Sequence, residues 1–243
     1  MIDRAAERRR VLFPVLVATV AAWAFLLSSS TGHSDHSPAL SVTKACLASI
    51  PMLIAMMAPT LIEPLRHIHR RSFARRRSRS MALFLMGYAA VWMVLTAAFI
   101  TVARSALEAG LPSFLPPLAL LIVAVVWQCS PLKQLGLNRC HAHAELAPFG
   151  IAADVDAGRF GIEHGFWCAA SCWPWMSGSM LLPYGQTAAM AIATYATLGE
   201  RLESPAPLRW RLRGPARLTR LMLTQARLRL SPPARALRRS HAR

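Results

Sequence analysis

Acidic residues are scarce in this sequence, and their scarcity limits what the chain can be. Among 243 residues there are 11 Asp and Glu against 28 Lys and Arg, so the formal net charge is +17. Yet 54% of the residues are hydrophobic. A chain of this kind either binds nucleic acid or places basic loops beside a membrane. Long runs without any charged residue favour the membrane, and no nucleic-acid partner is expected.

The uncharged runs predict an all-α fold, a polytopic bundle of membrane helices. The runs cover residues 11–27, 45–62, 81–103, 111–127 and 166–199. The last run is too long for one crossing and carries Gly178 and Pro183 near its middle, so two helices joined by a tight turn are expected there. The prediction is six transmembrane helices, or five if the first is a cleaved signal peptide, with the lipid bilayer as a partner.

The positions of Lys and Arg orient these helices. With Met1 inside, all but two of the 28 basic residues fall in inside segments, the exceptions being Lys44 and Arg104. Because cytoplasmic loops hold the excess of positive charge, both termini are predicted inside. Residues 1–200 would form the transmembrane helical domain and 201–243 a basic cytoplasmic tail. The tail could lie on the anionic leaflet as an amphipathic helix, but a solvated tail is the simpler expectation.

Several catalytic patterns are absent. The sequence has no Gly-rich phosphate loop, His-Glu-x-x-His motif or Ser-His-Asp arrangement, so nucleotide and hydrolytic chemistry are disfavoured. Glu63 and Glu163 lie at helix ends, and the absence of a carboxylate inside the spans argues against a proton-coupled transporter. We therefore predict no enzyme. The enzymatic alternative is a thiol oxidoreductase that uses Cys168 and Cys172, although redox centres usually have the spacing C-x-x-C.

The stretch "GIEHGFWCAASCWPWMSGSM", residues 161–180, places His164, Cys168, Cys172 and Met176 at intervals of four. On a helix each successive member lies one turn further and about 40° round, so the four form a slanting stripe. Neighbours such as Cys168 and Cys172 can share one metal ion, whereas the outer members cannot. Thiolate and thioether ligands favour Cu(I), so copper is the first candidate and zinc the second.

Further soft ligands lie elsewhere in the chain. The second run contains Met56 and Met57, and the loop "CHAH" contains Cys140 near the expected inner end of the stripe. The predicted metal ligands are therefore Cys168, Cys172, His164, Met176, Met56, Met57 and Cys140, with Met56 and Met176 as the thioether ligands beside the Cys pair.

Helix packing is the competing explanation of the stripe. Gly161, Gly165 and Ala169 form a run of small residues at the same spacing, which lets membrane helices approach closely. The two Cys could be further small packing residues, and Met commonly fills gaps in an apolar core. The presence of an ionisable His at the end of the set favours metal binding over packing alone.

Six segments together resemble a known family. In chain order they are "IAMMAPTLIEPLRH", "GYAAVW", "WQCSPLKQLGLNRC", "GIEHGFWCAASCW", "GSM" and "LGERL". In this order they are similar to bacterial predicted metal-binding integral membrane proteins, some of them labelled copper chaperones. The family pattern has two further Cys, where this chain has Gly136 and Ser171. The resemblance implies metal binding through Cys168 and Cys172 in a multi-pass protein of the bacterial inner membrane.

The expected function combines these points. An integral membrane protein would accept Cu(I) through Cys, Met and His ligands and pass it to a cuproenzyme or another metal-accepting protein. The alternatives are a membrane thiol oxidoreductase or a metal transporter that uses the same Cys pair.

Overall fold

The computed structural model describes residues 8–29, 42–112, 114–182 and 185–230. Every regular element in these ranges is helical, which confirms the all-α class. In chain order the helices are α1 (Phe13–Ser29), α2 (Val42–Ala48), α3 (Ile50–Met57), α4 (Ile62–Arg71), α5 (Arg77–Glu108), α6 (Leu115–Cys129), α7 (Pro131–Cys140), α8 (Gly150–Leu181), α9 (Gln186–Arg201) and α10 (Ala216–Leu230). A π-helical turn, Arg8–Leu12, leads into α1, and a 3₁₀ turn, Ala58–Leu61, joins α3 to α4.

The number of spans differs from the prediction. Within the described residues, the helical stretches long and apolar enough to cross a membrane are Arg9–Ser29, Val42–Arg71 and Arg77–Ala106. Helices α6 and α7 would add a fourth if the pair, which is bent by 69°, were one broken span. The prediction of six spans is therefore wrong: the described chain offers three, or up to four.

Helix length and interior composition explain the difference. Helix α6 has 15 residues and α9 has 16, whereas a bilayer core needs about 20 in a straight helix. Helix α8 has 32 residues, but Trp, Ser and Gly residues and Pro174 interrupt its apolar half. A break between α8 and α9 does occur, at the extended Leu182 and at Gly185, whose φ of 71° suits glycine. Pro183 lies outside the described residues.

Helix α8 is the centre of the bundle and packs against α5, α6, α7 and α9. Its approach to α5 requires glycine on both helices. A Cβ added to Gly161 would overlap the carbonyl oxygen of Phe84, and one added to Gly87 would crowd the carbonyl oxygen of Gly158. The small-residue part of the predicted stripe therefore serves helix packing.

Proline shapes the segment opposite α8. Pro59 has no N–H, and the chain passes from α3 to α4 through a 3₁₀ turn at that residue. Met57 is the last residue of α3, immediately before this turn, and is buried. Trp23 of α1 donates from Nε1 to the carbonyl oxygen of Ala55 at 3.1 Å, which fixes α3 against α1. The turn and this hydrogen bond together set the position of the methionine side chains.

A buried ionic network holds the end of the bundle together. Lys133 Nζ lies 2.8 Å from Glu200 Oε2, and both side chains are almost fully buried. Gln128 accepts from Lys133 Nζ at 2.6 Å and donates to Glu200 and to the carbonyl oxygen of Arg213. Arg213 donates in turn to the side chain of Gln134 at 2.7 Å. The chain after residue 201 is therefore docked on the bundle at Arg213 before α10 begins.

Candidate metal site

Two thiols and one thioether meet in the core, and we call Cys168, Cys172 and Met57 the sulfur cluster. The Sγ of Cys168 lies 3.9 Å from the Sδ of Met57. Cys172 follows one helical turn later, its Sγ 3.2 Å from the carbonyl oxygen of Cys168, and the two thiols interact electrostatically. The exposed fraction of each of the three residues is 1% or less. Soft ligands from α8 and α3 thus face each other in a dry environment.

Tyr88 completes the surroundings of Cys168. Its hydroxyl lies 3.3 Å from Cys168 Sγ, and the two groups share a hydrogen bond whose donor can be either atom. Tyr88 belongs to α5, so three helices position the thiol. The segment "GYAAVW", which carries part of the family resemblance, contains this tyrosine, but no spacing pattern links it to the stripe on α8.

Met56 and Met176, the predicted thioether ligands, are also buried, with exposed fractions of 0% and 2%. Both belong to the same hydrophobic core as the sulfur cluster. The methionine sulfur in contact with a thiol is that of Met57. The structure therefore brings Cys168, Cys172 and Met57 together and surrounds them with further methionine side chains.

His164 lies one turn before Cys168 on the same face of α8. It is 4% exposed, and its Nε2 has no hydrogen-bond partner within the described part of the chain. Its ring packs among the rings of Phe84, Tyr88 and Phe160, with centroids 5.9, 6.2 and 5.9 Å away. A buried polar atom without a partner is costly, so an imidazole nitrogen in this position is a candidate ligand.

Cys140 lies at a separate place, on the wall of a cavity of about 230 Å³. Among the residues that line this cavity are Glu63, Cys140, His141, His143, Phe160 and His164. His164 thus belongs both to the cavity wall and to the stripe that leads to the sulfur cluster. The seven predicted ligands form two neighbouring groups.

Arg201 is a further charged residue near the thiols. Its Nε and Nη2 atoms are buried and have no hydrogen-bond partner among the described residues. The guanidinium interacts electrostatically with the thiols of Cys168, Cys140 and Cys172. The sequence predicts Arg201 as the first residue of the basic tail, since no local pattern indicates that it lies near thiols far away in sequence.

The chemistry of the sulfur cluster fits a soft ion. Across the ranges that the structure describes, no group of three or more His, Cys, Asp or Glu side chains could hold a metal ion. A closed zinc site usually has four such ligands, so the arrangement does not favour zinc. Two thiols and a thioether are the ligand types that select Cu(I).

The family comparison points to copper. A family model described as PpoB2, copper chaperone, matches residues 47–219, which is more than half of the chain. The chain belongs to this copper chaperone family. The matched region contains all seven predicted ligands, and membership is consistent with a protein that handles a metal and is not an enzyme. No curated protein and no solved structure matches the chain.

The two departures from the family pattern lie against each other. A Cβ added to Gly136 would stand 3.4 Å from the Cβ of Ser171 and 3.2 Å from the carbonyl oxygen of Trp167. Helix α7 therefore approaches α8 closely at the two positions where the resemblance implies Cys.

Proposed function

We propose that this member of the copper chaperone family is an integral membrane protein that holds Cu(I) at Cys168 and Cys172. Met57 is the third ligand, and the ion is passed to a copper-accepting partner such as a cuproenzyme. The observation that carries the proposal is the contact between Cys168 Sγ and Met57 Sδ at 3.9 Å, with Cys172 one turn away. The site is supplied by two helices and is almost entirely buried.

The spacing of the sulfurs suits a three-coordinate ion. With metal–sulfur bonds of about 2.3 Å, two sulfurs 3.9 Å apart subtend an angle of about 116° at the metal. This angle is close to that of trigonal coordination by two thiolates and one thioether. Two of the three sulfurs stand at this separation, and Cys172 follows one turn later on α8.

The charge around the site suits the bound complex. Cu(I) held by two thiolates carries a net negative charge, which is costly in a low-dielectric core unless it is compensated. Arg201 interacts electrostatically with both thiols and supplies one positive charge. Burial also protects the thiols from oxidation, because susceptibility follows exposure and thiolate character.

The proposed location is the inner membrane of a bacterium, with both termini in the cytoplasm. Three apolar spans and the bent pair of α6 and α7 as a fourth would return the chain to its starting side. All but two of the Lys and Arg residues then lie on the cytoplasmic side or in the tail. The resemblance to bacterial membrane proteins supports the same location.

Elemental analysis tests the proposal. The detergent-purified protein, produced with added copper and kept reduced, is compared with the Cys168→Ser, Cys172→Ser double variant. A Cys46→Ser, Cys129→Ser double variant is the matched control, since it removes the same number of thiols away from the sulfur cluster. We expect near-stoichiometric copper in the wild type and the control, and its loss in the first variant. Absence of copper from the wild type, or its retention without Cys168 and Cys172, contradicts the assignment.

A further inference from the structure

The cavity beside the sulfur cluster has a polar rim and a buried floor. Glu63 and His143 are exposed, whereas Phe160 and His164 are buried. Its volume of about 230 Å³ compares with roughly 30 Å³ for one molecule of liquid water. The cavity therefore has room for several water molecules or for a ligand side chain of another protein.

The floor of the cavity leads to the sulfur cluster. His164 and Cys168 are four residues apart on α8, so their side chains lie on one face at neighbouring turns. Tyr88 touches both, with its ring centroid 6.2 Å from that of His164 and its hydroxyl 3.3 Å from Cys168 Sγ. The buried Nε2 of His164, which lacks a hydrogen-bond partner among the described residues, is thus a donor atom between the cavity and the thiols.

The possible metal ligands around the cavity differ in whether they are already held by hydrogen bonds. Both ring nitrogens of His141 are held by backbone carbonyls, those of Leu137 at 2.9 Å and Arg201 at 3.1 Å. His141 therefore has a structural role. His143 stands at the exposed rim, where its ring centroid lies 4.7 Å from that of His67, and Cys140 and His164 line the same cavity.

We propose that this cavity is an exchange chamber in which Cu(I) moves between an external soft-ligand donor or acceptor and the sulfur cluster. Cys140, His143 and His164 are its transient ligands, and the inference rests on the function proposed above. Because no three His, Cys, Asp or Glu side chains of the described residues converge as a closed site, the ion is held there by two ligands at a time. Cu(I) accepts two-coordinate binding, and an incomplete ligand set lets the ion leave.

Each transfer step is a ligand exchange without a change of oxidation state. The bond from Cu(I) to His164 Nε2 breaks as the bond to Cys168 Sγ forms, and the thiol proton passes to water in the cavity. A chamber of this kind is needed because the sulfur cluster is almost fully buried. Helix α8 is fixed against α5 by the close contact at Gly161, so the thiols cannot reach a partner by moving the helix.

Transfer kinetics test the chamber. The reduced, copper-loaded protein is mixed with a chromophoric Cu(I) chelator in a stopped-flow instrument, and loading is followed in the reverse direction. For Cys140→Ser, His143→Ala we expect loading and release to slow by the same factor, about tenfold or more, the size of effect seen when groups around a metal are removed. Cys129→Ser, outside the cavity, is the matched control and should exchange at the wild-type rate.

The outcomes separate the two proposals. If the wild type holds copper through Cys168 and Cys172 but the cavity variant exchanges it as fast as the wild type, the chamber is refuted and the metal site stands. If the wild type holds no copper, both are refuted. The single variant His143→Ala controls for a folding defect in the double variant. The side chain of His143 is exposed, and substitutions of exposed residues usually change stability little. A normal exchange rate in that variant and in a folded Cys140→Ser variant likewise overturns the chamber.

Discussion

Met57→Leu separates metal binding from packing at the sulfur cluster. The change replaces a thioether by an apolar group of similar volume, so the core around it keeps its packing. Met56→Leu is a matched control on the neighbouring residue, since both methionines are buried in the same core, at 1% and 0% exposure. The sulfur of Met57 touches Cys168 Sγ at 3.9 Å, so the two substitutions remove the same atoms but affect different contacts.

The expected magnitudes follow from this geometry. Each substitution should cost less than about 1.5 kcal/mol of folding free energy, because volume is conserved. Met57→Leu leaves Cu(I) bound by the two thiolates. It removes the third ligand, whose sulfur subtends an angle near the trigonal value with the sulfur of Cys168 at the metal. We expect the dissociation constant to rise about tenfold to a hundredfold, as it does when a metal site loses a supporting group. Met56→Leu should leave it unchanged.

Competition titration against a chromophoric Cu(I) chelator measures both constants under anaerobic, reducing conditions. Thermal unfolding in detergent checks that the two variants are equally folded. Equal affinity of Met57→Leu and the wild type would refute the role of the thioether. Weakened binding in Met56→Leu but not in Met57→Leu would restore the ligand expected from the sequence and refute the geometric argument.

Three further predictions concern the pH response and the packing of the bundle. Since each thiol must lose its proton to bind, copper affinity should fall as pH falls, by up to about a hundredfold per pH unit while both free thiols are protonated, in chelator titrations at several pH values. Glu200→Ala leaves Lys133 as a buried unpaired charge and should lower the unfolding free energy by about 3–5 kcal/mol, whereas Glu163→Ala, in an exposed pair, should have little effect. Gly161→Ala forces a Cβ against the Phe84 carbonyl and should cost about 1–3 kcal/mol in thermal unfolding; an unchanged melting temperature would contradict the close packing of α5 and α8.

Periodicity predicted the part of the site that lies on one helix. The spacing of four was enough to place His164, Cys168 and Cys172 on one face of α8, because that helix is regular through this stretch. Which of Met56 and Met57 contacts the thiol of Cys168 depends on how α3 ends. The 3₁₀ turn at Pro59 sets the rotation of the last residues of α3 against α8, and no spacing rule gives that rotation.

The predicted number of transmembrane spans was wrong where apolar residues are buried against other helices of the protein. The residues of α8 that face α5 and α7 include Gly and Ser, and they are buried against neighbouring helices. A hydropathy profile does not distinguish such a helix from a membrane span, so it joins the apolar part of α8 to the apolar run that follows. Arg201 is a different case, since a charged residue at the start of a basic segment is expected in solvent. It lies instead near Cys140 and Cys168, which are distant in sequence.

The two positions where the resemblance implies further Cys, 136 and 171, lie against each other. Cβ atoms at positions 136 and 171 would be 3.4 Å apart, close to the separation of about 3.5–4.5 Å in disulfides. A relative with Cys at both positions would therefore have a second pair of sulfurs between α7 and α8, beside the sulfur cluster. Here Gly136 lets α7 pack closely against α8, and Ser171 donates to the carbonyl oxygen of Cys168 at 2.7 Å, within its own helix. Neither position supplies a sulfur of the sulfur cluster, so the site proposed at Cys168, Cys172 and Met57 does not depend on them.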